Sequence, residues 1–392
     1  MSSPSRSSTA AVCSRRAERG MTLIELMVAV VIGLGVTLAV TTVLIASENN
    51  KRITTSTNDV DQTGAFIAAE LDTALRGAGS GFASSSLATA GALGCKLNVA
   101  TILPRAKGLP APFDSAGFAK VSSDLRVAPV LIAKNQSSSG TSDVLVVMNG
   151  SGAAGGVSRL ITGSVGSSTL VLNNAVGLVN DDLVLVSRDG TTDCFLEQIK
   201  SISDSTLTLG GTYYAASATL ATLASSDKPW VTPLGNATAN NLQMTVYTVG
   251  DNRTLFSYDL LQATGGDASQ PIAESVEQLH AIYGVDTDGN GIMDGWADPG
   301  ATGTYDITTV MSSVSTMQKI LAVRVSLVLR GNYYDRNGGA VVSPATYTLF
   351  SGLKSVANVS LEQTVNLDRQ YRYRVLEFTV PLRVMMVLAR GS

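Results

Sequence analysis

From Leu26 to Ala46 the chain reads LMVAVVIGLGVTLAVTTVLIA, a run of 21 residues without a charge or a proline. An α-helix rises about 1.5 Å per residue, so the run matches a bilayer core about 30 Å thick. The apolar stretch VPLRVMMVLA near the C-terminus is shorter and carries Arg383. Arg15, Arg16 and Arg19 precede the long run and favour a cytoplasmic N-terminus, which sends the rest of the chain across the membrane. An ordinary secretory signal is cut after its apolar core, at small residues, and VLIAS at Val43–Ser47 offers such a place. Glu25 argues against that route. It stands where the apolar run begins, and a carboxylate at that depth is costly and normally partnered.

The residues around Glu25 read RRAERG-MTLIE. This arrangement resembles the prepilin family, whose leaders end in Gly and whose mature chains carry Glu at the fifth position. Gly20, Met21 and Glu25 fall at those places, with Met standing where Phe is commoner. The resemblance implies a leader over 1–20, cut between Gly20 and Met21 by a membrane aspartyl prepilin peptidase that also methylates the new amine. A cut before the apolar run leaves the anchor on the mature protein. It also creates an ammonium close to Glu25, and pairing with a neighbouring subunit offsets part of the cost of holding both charges in lipid.

The helix is predicted to continue beyond the membrane. Ile53, Val60, Gly64, Ile67, Leu71 and Ala74 or Leu75 recur at helical spacing, while Lys51, Arg52, Asp59, Asp61, Glu70 and Asp72 occupy the other side. No proline occurs between Met21 and Leu103, and the run Gly77-Ala78-Gly79-Ser80-Gly81 ends the pattern. One helix is therefore expected over 21–76, transmembrane at 26–46 and amphipathic at 47–76, with Gly33 and Gly35 as weak points. Major pilins usually carry a kinking proline in the membrane half. Its absence here points toward a minor pilin.

Residues 77–392 read differently. Charged residues make up 15% of the 392-residue chain, below the roughly 25% of ordinary soluble domains, and Gly, Ser, Thr and Ala fill the gap. Short apolar runs between turn residues predict strands at Asp143–Met148, Thr169–Leu172, Asp182–Ser187, Cys194–Ile199, Thr206–Leu209, Leu242–Val249, Ile320–Leu329 and Tyr371–Val380. Ala322–Leu329 alternates only partly, which suggests one solvated face. A β submodule is expected over 123–233, with Pro229 and Pro233 marking its boundary. The fold class is α+β, a long N-terminal helix followed by a β-rich globular head.

Within the pilin-like proteins the head resembles minor pilins of the PilW type. The likeness lies in Leu75-Arg76-Gly77-Ala78-Gly79 with Gly94-Cys95, and in Asn180-Asp181-Asp182-Leu183-Val184-Leu185-Val186-Ser187 with Cys194 and Phe195. It continues in Tyr283-Gly284-Val285-Asp286-Thr287-Asp288-Gly289 and ends in Val380-Pro381-Leu382-Arg383, where Val384 replaces the family's common Asn. The resemblance implies a priming or tip role in pilus assembly.

The other chemical candidates are few. Asp286, Asp288 and Asn290 supply oxygens at positions 1, 3 and 5 of an EF-hand-like loop, Ile292 a carbonyl at 7 and Asp294 a carboxylate at 9. Ala297 stands where the bidentate Glu belongs, with Asp298 beside it, so the loop reads either as a weakened Ca²⁺ site or as an acidic turn. Cys13 would leave with the leader, and Cys95 and Cys194 remain, to be read either as a disulfide, which a compartment outside the cytoplasm permits, or as two separate buried thiols. Gly150–Gly155 fits G-x-G-x-x-G, but strand-like sequence follows it where a dinucleotide fold needs a helix. His280 is the only histidine and has no visible catalytic partners. Tyr371-Arg372-Tyr373-Arg374 puts tyrosines and arginines on opposite faces of a strand, either as a subunit contact or as a charged edge. The leader holds four arginines and one glutamate, so its loss moves the net charge from −3 to −6, and with no basic patch in the sequence nothing predicts a nucleic-acid partner.

The sequence thus predicts a structural subunit and not an enzyme. It would sit in the bacterial inner membrane with a periplasmic head and then enter a pilus. Its expected partners are the prepilin peptidase, other minor and major pilins through the helix, and the assembly platform. A minor pseudopilin of a type II secretion system is the near alternative. A membrane-anchored periplasmic enzyme or binding domain is the distant one.

Overall fold

The computed structural model describes residues 20–82, 93–97, 109–118, 125–150, 157–188, 193–214, 218–225, 229–239, 242–261, 268–300, 303–334 and 343–391. Residues 1–19, with Cys13 and the leader arginines, lie outside this set, as do residues 151–155 of the glycine motif. The chain divides into two compact units, Met1–Thr55 and Ser56–Ser392.

Helix α1 runs from Leu23 to Gly77, 55 residues. Its first part carries the apolar run, and every side chain from Gly20 to Glu48 is exposed. The hydroxyls of Thr37, Thr41 and Thr42 donate to carbonyls one turn back, so these polar groups are satisfied within the helix itself, as a lipid environment requires.

From Ser56 onward α1 is amphipathic. Val60, Gly64, Ile67, Leu71 and Leu75 are buried, at the three- and four-residue spacing that makes a single stripe. They join the main core of the second unit, together with residues of three sheets. The first sheet has the order β12-β11-β10-β3-β2, built from β2 (Val130–Ala133), β3 (Val144–Asn149), β10 (Gln243–Gly250), β11 (Thr254–Asp259) and β12 (Gln270–Ala273). The second has the order β14-β13-β15-β18, from β13 (Val276–Val285), β14 (Gly295–Ala297), β15 (Ile320–Arg330) and β18 (Tyr373–Pro381).

The third sheet lends Leu183, Leu185, Leu196 and Leu234 to the main core and Val184, Val186, Phe195 and Val231 to a smaller core of its own. Its order is β1-β7-β6-β9-β4-β5-β8, from β1 (Lys96–Leu97), β4 (Arg159–Val165), β5 (Thr169–Leu172), β6 (Asp182–Arg188), β7 (Asp193–Ser203), β8 (Thr206–Leu209) and β9 (Pro229–Asn236). The hairpin β16 (Thr346–Leu349) with β17 (Gln363–Asn366) contributes to a further cluster with Ile282 and Val328.

Three expectations are corrected. The submodule read at 123–233 is a different set of strands: β2 and β3 leave it, because β3 pairs with β10 more than 90 residues later. Pro229 and Pro233 mark no boundary, since both lie inside β9. Pro229 opens the strand, and Pro233 sits beside a register shift opposite Leu183 and Val184, two places where a missing N–H is tolerated. Finally, β15 has no solvated face. Val323, Val325 and Leu327 enter the main core, while Val328 enters the cluster containing the β16–β17 hairpin residues Leu349 and Val365.

Candidate functional site

Gly20, Met21 and Thr22 precede the helix in non-helical conformation, and Met21 is 61% exposed. Thr22 caps α1: its hydroxyl accepts the Glu25 amide at 3.3 Å, and its carbonyl accepts the first helical bond from Leu26. Thr22-Leu23-Ile24-Glu25 has the T-x-x-E spacing of a capping box, a local signal that the sequence reading passed over. Glu25 therefore lies in the first turn, where the N-terminal end of the helix dipole favours a negative charge. The chain around it is apolar and exposed on all sides, so further compensation has to come from a cation outside the helix. A terminal amine at Met21 would be four residues away along the chain.

The far end of α1 is pinned by its glycines. Gly79 has φ +82° and donates to Met148 of β3, and the Ser80 hydroxyl donates to the Gly150 carbonyl. A Cβ on Gly150 would stand 2.4 Å from the Leu234 carbonyl. That close packing accounts for the first glycine of the G-x-G-x-x-G match, and β4 follows it where a nucleotide fold needs a helix.

Cys95 and Cys194 are joined as a disulfide with Cα atoms 5.7 Å apart, beside the parallel pairing of β1 with β7. Gly94 has φ +77° and would press a Cβ against Val314 at 2.5 Å, so the Gly-Cys pair fits only as written. Asp181 and Asp182 act as turn residues. Asp182 accepts the Val179 amide and the Asn236 side chain, and Asp181 accepts from Gln198 and Thr238, tying β6 to β7 and β9.

In the Asp286–Asp294 loop, Asp286, Asp288 and Asp294 each offer a carboxylate oxygen, all within 4.8 Å of one another. That spacing fits a shell of oxygens held at about 2.3–2.6 Å from Ca²⁺. The same oxygens already serve the loop. Asp286 accepts the amides of Gly289 and Gly291, both at 2.7 Å, Asp294 accepts the Thr287 amide, and the Asn290 side chain accepts the Ile292 amide. Burial alone would raise the Asp286 carboxyl, but the Gly291 and Gly289 amides and other loop donors together hold it below the usual carboxylate range. Asp294 is held low chiefly by the Thr287 hydroxyl, then by the Thr287 amide. Asp298 does not join the loop oxygens; it pairs with Lys134 at 2.7 Å. The cluster of three carboxylates fits a cation, held weakly because the loop's own donors compete for the same oxygens.

Asp143, fully buried, carried no special weight in the sequence. Its carboxylate accepts the amides of Asn135 and Ala281, and its own amide donates to Leu279, so it stitches the start of β3 onto the part of β13 that the short β14 leaves unpaired. His280 lies beside it, Nδ1 at 3.4 Å, with Nε2 on Gln278. The sole histidine is thus a buried structural neighbour of that joint. Tyr371 is stacked under Arg330 at 4.0 Å and against Tyr334, while Arg374 pairs with Asp61 of α1 at 3.2 Å.

The family model described as type IV pilus-assembly protein W matches residues 237–384, and the one described as the prokaryotic N-terminal methylation motif matches residues 15–41. Over these two stretches the chain is similar to PilW-type type IV pilins. The first match runs through β10, β13, the Asp286 loop, β15 and β18, and the second covers Gly20, Met21, Glu25 and most of the apolar run. A type IV-like pilin from Thermus thermophilus is similar over 53% of this chain and 86% of its own, at 11% identity and a TM-score of 0.23, too distant to compare position by position. No curated protein matches this chain.

Proposed function

We propose that this chain is a minor subunit of a type IV pilus, cut by prepilin peptidase between Gly20 and Met21 and acting at or near the tip to prime or cap assembly. It waits in the inner membrane by the apolar part of α1 with its head in the periplasm. Neighbouring pilins then take the exposed helix, and the assembly platform lifts it. Pilin families are structural, which agrees with a role in assembly and not in catalysis.

The observation that carries the proposal is Glu25, alone among the apolar, exposed side chains at the start of α1. A charge placed there costs several kcal/mol unless a cation meets it. The methylated amine of Met21, its own or a neighbour's, supplies one and thereby fixes axial register. Glu25→Ala tests this. The precursor should still be processed at Gly20, while incorporation into pili falls by an order of magnitude or more. Normal incorporation of the variant would reject the proposal and favour a membrane-anchored enzyme or binding domain.

A minor pseudopilin of a type II secretion system shares the same N-terminus. Deletion separates the two, since one abolishes pili and the other secretion. Ca²⁺ held by Asp286, Asp288, Asn290, Asp294 and the Ile292 carbonyl belongs to the same proposal, as a brace for a loop in the head.

A further inference from the structure

Strand β18 ends its sheet, and among the described residues no strand pairs with its outer edge. Leu382 donates to the Leu321 carbonyl at 2.8 Å, and the register then pairs Ala322 with Pro381 through to Arg330 with Tyr373. In an antiparallel ladder the bonded pairs alternate. The even-numbered residues of β18 therefore bond inward to β15. Val375, Glu377 and Thr379 turn their N–H and C=O groups outward, and these meet no partner among the described residues.

Other edges of the two main sheets are blunted. β12 carries Pro271 and a register shift, β14 has three residues, and β2 is fully buried with its Ile132 amide on the Tyr283 hydroxyl. By contrast β18 pairs with β15 along its whole length without a bulge, and its first proline is Pro381. An edge this long and regular is a template for one more strand.

Charge narrows the choice of strand. Arg374 is matched by Asp61 and Glu377 by Arg324 at 2.8 Å. Arg372 is exposed and has no ion-pair partner among the described residues. It lines a cleft of about 200 Å³ with Arg374, Asp61, Ser56 and Ser343, next to the start of that edge, and the one acid there, Asp61, is taken by Arg374. The cleft has room for one carboxylate side chain with its waters and presents a spare guanidinium to it.

We propose that the β18 edge binds an extended acidic segment of a neighbouring pilin subunit, which adds a strand along Val375–Thr379 and places a carboxylate beside Arg372. This rests on the minor-pilin reading and names a head contact separate from the helix.

The test places a photoreactive benzophenone residue at position 379 of the full chain, and in a parallel strain at Phe66, which is 55% exposed on α1. Both are expressed with the prepilin peptidase and the other subunits. We expect position 379 to cross-link to another pilin through a peptide containing Asp or Glu, and Arg372→Glu to lower that yield at least tenfold. Amide exchange over 375–379 should slow at least tenfold on assembly. Cross-linking at 66 without any at 379, a yield indifferent to Arg372→Glu, a non-acidic adduct peptide or unchanged exchange would each overturn the edge contact and leave the pilin reading standing. Silence at both positions would overturn both. Arg372 is a surface residue, and retention of the Cys95–Cys194 disulfide with an unchanged melting temperature shows that its variant is folded.

Discussion

Three glycines in one helix have opposite meanings, and only their surroundings say which. At Gly33 and Gly35 an added Cβ would meet nothing within 4 Å, so Ala there should firm the helix by up to about 1 kcal/mol per site. A Cβ on Gly64 would stand 2.6 Å from Leu329 Cδ1, a side chain that is itself only 1% exposed. Overpacking costs roughly 1–3 kcal/mol, which outweighs the gain in helix propensity for anything larger than Ala. Gly64→Val is therefore expected to lower the melting temperature of the head by several degrees in a thermal scan, whereas Gly33→Ala should leave it unchanged. The sequence showed Gly64 in the buried stripe but could not show the distance. Asp143 was less legible still: one of its amide partners, Ala281, lies 138 residues away, and no local pattern marks such a pairing.

Among the elements, α1 and the alternating strands were readable because their periodicity is local. All eight expected strands overlap observed ones, from β3 to β18. Strands such as β4, β9 and β13 were missed, since turn residues and prolines dilute their apolar runs and long-range pairing fixes them instead. Sheet membership was illegible for the same reason. The Asp286–Asp294 loop was readable as chemistry, and its behaviour with pH follows from its carboxyls. Both Asp286 and Asp294 are held below the ordinary range, so they stabilise the fold above the unfolded carboxylate pKa of about 3.9. That contribution is lost as pH falls through the lower folded values. Scans should show a melting temperature that falls more steeply below about pH 4 than it does for Asp286→Asn. Calcium at roughly millimolar level should raise it near neutral pH if the loop binds the ion, and no shift would remove Ca²⁺ from the account.

At the scale of the whole molecule, one covalent bond ties β7 to the segment that enters β1, where the third sheet meets the main core. Cys95 and Cys194 are 99 residues apart in sequence, and closing a loop of that size stabilises by about 3–5 kcal/mol in the chain-entropy model. Cys194→Ser should lower the denaturation midpoint accordingly and make the head more sensitive to protease, and an unchanged midpoint would show that the bond is dispensable. The larger division of labour was visible from the start. An apolar segment long enough to cross a membrane begins beside a single acid, and its helix continues as a stripe that the head buries. The proposed function turns on the chemical state of the chain's beginning. The most direct measurement is the intact mass of the protein from membranes with and without prepilin peptidase. The account predicts a mature chain that begins at N-methylated Met21 only when the peptidase is present. A functional protein that keeps its leader, or one cut near Ala46, would contradict it.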